Sequence, residues 1–383
     1  MIGMGDLSDF INRPNELRRE AASNLFDHLF GRGLADTRAT PSKVIDQGKK
    51  RTLYRYEPID GVEPRPLPLL PVPPLAAPAR AFDLRRGCSM AEYLVGLGYR
   101  TYLVDYGSID KSDKGLGVEH WHDEVVPASI LKVSEDVGGK PVQVAGWCLG
   151  GLMSLCALAI TPDLPVNTIA TVGTPWDTSV MPILAPMREG NKLLGGDNIL
   201  AAAYRATSGK ALGKGFGAAF RAAGGVPASV VDYAFKMTNI QTYAKKPMTT
   251  FQKRDDRDFL AHVEAVDSLM GNMQAYPGES IETLYRRFFI ANELMNGKLV
   301  RKDGSLLNLA NVRVPVMNIA GTGDVVVPQA AAHAVSQILP NAAEVRLETA
   351  PGGHLGVLAG RSARKTTWHY IDEFMTDHAR RGS

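Results

Sequence analysis

Residues 142–159 read VQVAGWCLGGLMSLCALA, and they decide the fold. Val142, Val144 and Ala145 form a short apolar run that ends at Gly146. Trp147, Cys148, Leu149, Gly150 and Gly151 follow. Leu152, Leu155, Cys156 and Ala159 then recur at helical spacing. The pattern predicts a strand, a very tight turn and a helix. A turn this tight forces the residue at its tip into a strained backbone conformation, so its neighbours two positions away must lack bulk. Gly146 and Gly150 supply that space, and Gly151 lets the helix lie close to the strand. The helix N-terminus directs its unpaired N–H groups and positive dipole end at Cys148, which favours a thiolate. The form G-x-C-x-G is a nucleophile elbow with cysteine at its tip. A buried structural cysteine beside a glycine-rich turn would leave the same residues, so the rest of the chain must decide.

The chain has 383 residues, 45% hydrophobic and 22% charged, with a formal net charge of +3. That composition suits one large soluble α/β domain with insertions. The charge is too mild to imply a nucleic-acid partner. Cys88, Cys148 and Cys156 form neither a disulfide framework nor a zinc spacing, which fits a reducing compartment. The opening MIGMGDLSDF lacks the basic and apolar regions of a signal peptide. No apolar run is long enough to span a bilayer, so a cytoplasmic location is expected.

Residues 1–45 read as a lead-in. Leu7, Phe10, Ile11, Leu17, Ala21, Leu25, Leu29 and Phe30 recur at roughly helical spacing, interrupted at Pro14, and predict a helix packed on the domain surface. Residues 31–48 are polar and loop-like. Strands are expected at 50–57 (KRTLYRYE), 69–72, 99–105 (YRTYLVD), 142–145, 168–172, 314–320 and 344–348. Helices are expected from Ser89, an N-cap, to Leu97, over 118–137, and over 366–378. Strand–helix alternation at this period predicts a mostly parallel central sheet flanked by helices, with Cys148 at its C-terminal edge. The alternation breaks at 181–300, which reads as a mainly helical cap inserted into a core made of 46–180 and 301–383. The first part of the cap is rich in glycine and alanine and carries Lys192, Arg205, Lys210, Lys214 and Arg221, read as a solvated face. Gly213, Gly215, Gly217, Gly224 and Gly225 make it a natural mobile gate. In the second part, Phe259, Val263, Val266 and Leu269 or Met270 recur at helical spacing.

A nucleophilic cysteine needs a base, and the base needs an orienting acid. Asp324 lies in GTGDVVVP, directly after the strand 314–320. His354 lies in TAPGGHLGVLAG, after the strand 344–348. Nucleophile, acid and base therefore occur in the chain order that such a sheet requires, each on a loop after a strand. His354 is expected to take the thiol proton, Asp324 to fix its tautomer, and the backbone N–H groups of Leu149 and Leu75 to hold the oxyanion. His120 and His122 in EHWHDE are two residues apart, which does not suit one helix face, so they are read as polar residues at a helix start and no metal is expected. Cys156 lies on the apolar face of the elbow helix and reads as core. Cys88 is given no role.

On these residues the chain resembles the polyhydroxyalkanoate synthase family within the α/β-hydrolase superfamily. Its box is G-x-C-x-G-G. The resemblance takes in VPP at 72–74, FDL at 82–84 and GTPWD at 173–177. It continues through FQKRDDRDFLAHVEAVDSLM at 251–270 and NELMNGKL at 292–299, then 314–328 and GGHLGVLAG at 352–360. It implies the α/β-hydrolase fold and acyl transfer from (R)-3-hydroxyacyl-CoA through a cysteine thioester. Cys148, Asp324 and His354 would be the triad, acyl-CoA the substrate, and no cofactor is needed. The absence of a long N-terminal domain resembles the short, two-subunit (class III-like) synthases. The implied partners are a second copy or a second synthase-type subunit, and the surface of a polymer granule. Three departures stand out. Val325 follows the aspartate where the family commonly has histidine, the segment after VPP reads LAAPARAFDL in place of a tyrosine-bearing one, and the glycine-rich part of the cap is longer. Two other outcomes share the pattern: an acyl-CoA thioesterase or other acyl hydrolase, with water as final acceptor, and a non-catalytic synthase-like subunit.

Overall fold

The computed structural model describes residues 15–31, 33–185, 224–238 and 240–379. The chain begins with helix α1 (Asn15–Phe30), then strands β1 (Ser42–Gly48), β2 (Arg51–Tyr56) and β3 (Leu69–Val72). Helix α2 (Met90–Gly96) precedes β4 (Tyr102–Asp105), and α3 (Val126–Asp136) precedes β5 (Val142–Trp147). Helix α4 (Leu149–Ile160) leads to β6 (Val166–Val172). After β6 come helices α5 (Ala228–Thr238), α6 (Ile240–Gln252), α7 (Arg257–Met270) and α8 (Gly278–Thr283), then a small hairpin of β7 (Lys298–Val300) and β8 (Leu306–Asn308). The chain closes with β9 (Val316–Gly321), α9 (Gln329–His333), β10 (Val345–Ala350), α10 (Gly356–Ala359) and α11 (Thr367–Ala379).

The apolar runs pair as one parallel sheet of five strands, in the order β10-β9-β6-β5-β3. A parallel bridge between Leu69 and Thr101 joins it to β4, from which β2 and β1 continue antiparallel. Every residue of β5 is buried. A strand covered on both faces needs apolar side chains on both, and that is why 142–147 reads as a continuous run and not an alternation. One face packs against α3 and α4 through Ile130, Leu152 and Leu155. The other packs against α2 and α11 through Leu94, Ile371 and Phe374. Gln143, the polar residue of β5, donates from Nε2 to the Met375 carbonyl at 2.6 Å, while its buried Oε1 has no hydrogen-bond partner among the described residues. Ser89 caps α2 as expected, accepting from the Glu92 N–H at 2.9 Å.

Two expectations are corrected. The stretch 31–48 is not all loop, because Ser42–Gly48 forms the edge strand β1. At the sheet edge most of its side chains face water, so selection for alternating apolar residues is weak and SKVIDQG shows none. In α7 the buried residues are Leu260, Ala261, Ala265 and the expected Leu269, and the expected Val266 and Met270 pack partly buried against the same core, but Phe259 and Val263 are not fully buried. Phe259 is instead covered by cations, with Lys253 Nζ 4.7 Å and the Arg361 guanidinium 5.9 Å from its ring centre.

Residues 240–283, the second part of the stretch read as a cap, are largely helical, and α7 is fastened to the strand-bearing part of the chain. Buried Arg85 donates to Asp258 at 2.7 Å, and Arg361 donates to Asp256 at 2.9 Å. Helix α1 docks on the same element, with Asn24 accepting from Arg257 at 3.1 Å. The five basic residues between Lys192 and Arg221, Gly213, Gly215 and Gly217 lie outside the described residues. So do Leu7, Phe10, Ile11 and Pro14. Among the described residues no helix is long and apolar enough to cross a membrane.

Packing around the elbow sets a stability test. A Cβ at Gly150 would strike the Val72 carbonyl oxygen and lie 2.6 Å from that of Pro73, whereas one at Gly96 would meet open space. Gly150→Ala is expected to lower unfolding stability by about 3 kcal/mol, because backbone must move. Gly96→Ala is expected to raise it by about 0.5 kcal/mol through lost unfolded-state entropy. Urea unfolding midpoints check both.

Candidate active site

Cys148 sits between β5 and α4 with φ 51° and ψ −123°, a backbone conformation that costs a side-chain-bearing residue about 1–3 kcal/mol. The surroundings impose it. Its N–H donates to the Val172 carbonyl at 2.8 Å, and its own carbonyl accepts from Gly151 N–H at 3.1 Å and Thr174 Oγ1 at 3.0 Å. A Cβ at Gly146 would lie 2.5 Å from Gly151 N, so strand and helix meet at backbone distance. The Cys148 side chain is half-buried at the C-terminal edge of the sheet.

The loops after β9 and β10 bring Asp324 and His354 together. His354 Nδ1 lies 2.8 Å from Asp324 Oδ2. Asp324 Oδ1 accepts from the N–H groups of Val326 at 2.9 Å and Val327 at 2.8 Å. The carboxylate is therefore clamped, and its free oxygen fixes the Nδ1 proton and the ring orientation. His354 Nε2 is buried and has no hydrogen-bond partner among the described residues. Burial works against a charged ring here. The negative charges of Cys148 and then of Asp324 outweigh it and push the imidazole up to about 10. A small residue after β6 permits the approach: at Gly173, with φ 54°, a Cβ would press on Asp324 Oδ2 and the His354 ring at 3.4 Å.

Aromatic residues that sequence reasoning missed complete the surroundings. Trp147 donates from Nε1 to the His354 carbonyl at 3.1 Å, and the two rings lie 5.5 Å apart. Phe235 of α5 stacks on the His354 ring at 6.3 Å. Tyr276, just before α8, is pushed up first by burial and then by the charge of Cys148. Only Trp147 had a local signal, being adjacent to the nucleophile. Phe235 and Tyr276 reach the site through tertiary folding, and no spacing marks them.

The loop after β3 reaches the elbow from the other side. Buried Tyr106 donates from its hydroxyl to the Pro73 carbonyl at 2.9 Å and so holds the segment leading to Leu75, itself 2% exposed. Neither the Leu75 nor the Leu149 N–H has a hydrogen-bond partner among the described residues. Val325 is 45% exposed, so this departure from the family pattern faces solvent, away from the buried carboxylate beside it.

The remaining candidates stay outside the site. His120 pairs with Glu124 at 3.0 Å and His122 with Asp123 at 2.7 Å, on one helical stretch. Among the described residues no three His, Cys, Asp or Glu side chains are grouped to hold a metal. Cys156 is buried and pushed up to about 12 by that burial. Cys88 is buried, pushed up for the same reason, and donates to the Ala359 carbonyl at 3.4 Å.

Comparison with known proteins agrees with this geometry. A family model described as the alpha/beta hydrolase fold matches residues 80–360. The poly(3-hydroxyalkanoate) polymerase subunit PhaC of Thiocystis violacea is 24% identical over 96% of this chain and 98% of its own length. That of Cupriavidus necator is 25% identical over 96% of this chain and 59% of its own length. A carboxyl esterase from Bacillus coagulans, solved with glycerol, is 14% identical and superposes over 90% of this chain and 100% of its own, with a TM-score of 0.53. The last shows a shared fold and nothing further.

The raised His354 has a direct test. Alkylating Cys148 with iodoacetamide removes the largest influence that raises the imidazole and leaves burial in place. Histidine ring NMR is expected to show His354 protonated through pH 8 before alkylation and titrating at clearly lower pH after it. An unchanged titration would mean that Cys148 carries no charge there.

Proposed function

This chain belongs to the α/β-hydrolase fold family, and on that premise we propose that it is an acyltransferase of the polyhydroxyalkanoate synthase type. It takes (R)-3-hydroxyacyl groups from coenzyme A and carries them on Cys148. The observation that supports this most is the strained elbow cysteine whose charge is coupled to a buried histidine, itself fixed by Asp324. The polymerase name borne by relatives that span the chain supports the choice of acceptor.

In the first step the Cys148 thiolate attacks the thioester carbonyl. The N–H groups of Leu149 and Leu75 receive the oxyanion. As the intermediate collapses, the coenzyme A sulfur leaves and takes the proton held at His354 Nε2, giving acyl-Cys148 and free coenzyme A. Cys148 is now neutral. The attraction that held the imidazole high is gone while burial remains, so His354 becomes a neutral base. In the second step His354 removes the proton of a 3-hydroxyl, and that oxygen attacks the acyl-Cys148 carbonyl. The Cys148 sulfur then leaves as thiolate, forming an ester and restoring the starting ion pair. No cofactor takes part. A second copy or a second synthase-type subunit and the granule surface are the proposed partners, in the cytoplasm.

Incubation with (R)-3-hydroxybutyryl-CoA is expected to release coenzyme A together with insoluble polymer. Stoichiometric soluble 3-hydroxybutyrate would instead make water the acceptor and the protein a thioesterase, and no turnover would fit a non-catalytic subunit. Asp324→Asn is expected to lower turnover by about 10⁴-fold while leaving the fold intact, through loss of the imidazole tautomer. A nearly silent variant would mean that another group orients His354.

A further inference from the structure

The segment before α8 brings a second polar side chain, Tyr276, to the part of the core that Cys148 packs against. Among the described residues, Tyr276 and Cys148 are the half-buried ones that pack against both core clusters at once. Tyr276 is rigidly placed. Its N–H and carbonyl both bond to Val226, at 3.0 Å each. Gly225 beside it adopts φ 112°, and a Cβ there would strike the Tyr276 carbonyl oxygen and lie 3.0 Å from Gly278 N. Two residues earlier, the Gln274 N–H donates to the Ala76 carbonyl at 2.7 Å, and its side-chain oxygen accepts from the Ile109 N–H at 3.3 Å. The same backbone therefore links Tyr276 to the loop that carries Leu75. Burial, and after it the Cys148 charge, keeps the phenol protonated and so a hydrogen-bond donor across the working pH range.

We infer that Tyr276 is a specificity-determining residue whose hydroxyl hydrogen-bonds the 3-hydroxyl of the acyl group on its way to Cys148. The inference rests on the acyl-transfer reading above and adds to it how the site tells a 3-hydroxyacyl thioester from a plain one. The chemistry fits. A fixed phenol can donate to an alcohol oxygen and accept from its proton, and the 3-hydroxyl stands two carbons from the carbonyl that Cys148 attacks. Phe235, the other ring that the helical segment after β6 brings here, has no polar side-chain atom, and in this step His354 holds Asp324 through Nδ1 and serves the leaving coenzyme A sulfur through Nε2.

The test is the burst of coenzyme A release in a single turnover, with (R)-3-hydroxybutyryl-CoA and with butyryl-CoA, for the wild-type protein and for Tyr276→Phe. The variant keeps the ring, and both hydrogen bonds between Tyr276 and Val226 are main-chain bonds, so the placement survives. The expected result is a loss of about ten-fold or more for the hydroxyacyl thioester, the size set by one unpaired polar group. Butyryl-CoA should stay within about two-fold. Equal loss on both thioesters would overturn the inference, because the hydroxyl would then serve the sulfur or the packing. No loss on either would overturn it as well. Wild-type protein that releases coenzyme A from neither would overturn the acyl-transfer reading itself, and the butyryl-CoA burst separates the two failures.

Discussion

Close backbone contact at the elbow is the constraint on which the rest depends. Helix α4 reaches β5 and β3 only because residues 146, 150 and 151 have no side chain, and each would collide with main chain or with Thr174 if it had one. That approach drives Cys148 into φ 51°. It also aims the first turn of α4 at the sulfur and brings the post-β3 loop within reach. The strain is local, and the surrounding buried strands β3, β5 and β9 make up for it.

From that point the site follows by topology. Parallel strands end on one edge, and the loops after β5, β9 and β10 meet there. Asp324 spends one oxygen on two backbone donors and the other on His354, so the histidine is oriented without any contribution from a ligand. The electrostatics then behave as one unit. A histidine as buried as His354 would by itself resist charge, and the sulfur reverses that preference. In the proposed reaction acylation would reverse it again, and the same ring would then have opposite duties in two successive steps.

Much of this was legible in the sequence because its causes are local. The apolar run, the glycines at fixed offsets and the helix beyond Cys148 leave a trace that the acidic and basic residues placed directly after later strands make decisive. What was not legible depends on contacts made far along the chain. Strand β1 gives no alternation because its edge position asks for none. In α7 Phe259 meets Lys253 and Arg361 in place of the core, a pairing that exists only once the chain has folded. Tyr276 and Phe235 approach Cys148 and His354 from the segment between β6 and β9, and nothing in YPG or in the helix around Phe235 points to an active site.

The central claim is that Cys148 carries the acyl group. Intact-mass analysis with peptide mapping, after brief mixing with (R)-3-hydroxybutyryl-CoA and an acid quench, tests it most directly. One or more hydroxyacyl units attached through Cys148, and no adduct in Cys148→Ala, is the predicted result. An adduct on Cys88 or Cys156, or coenzyme A release from Cys148→Ala at the wild-type rate, would contradict it.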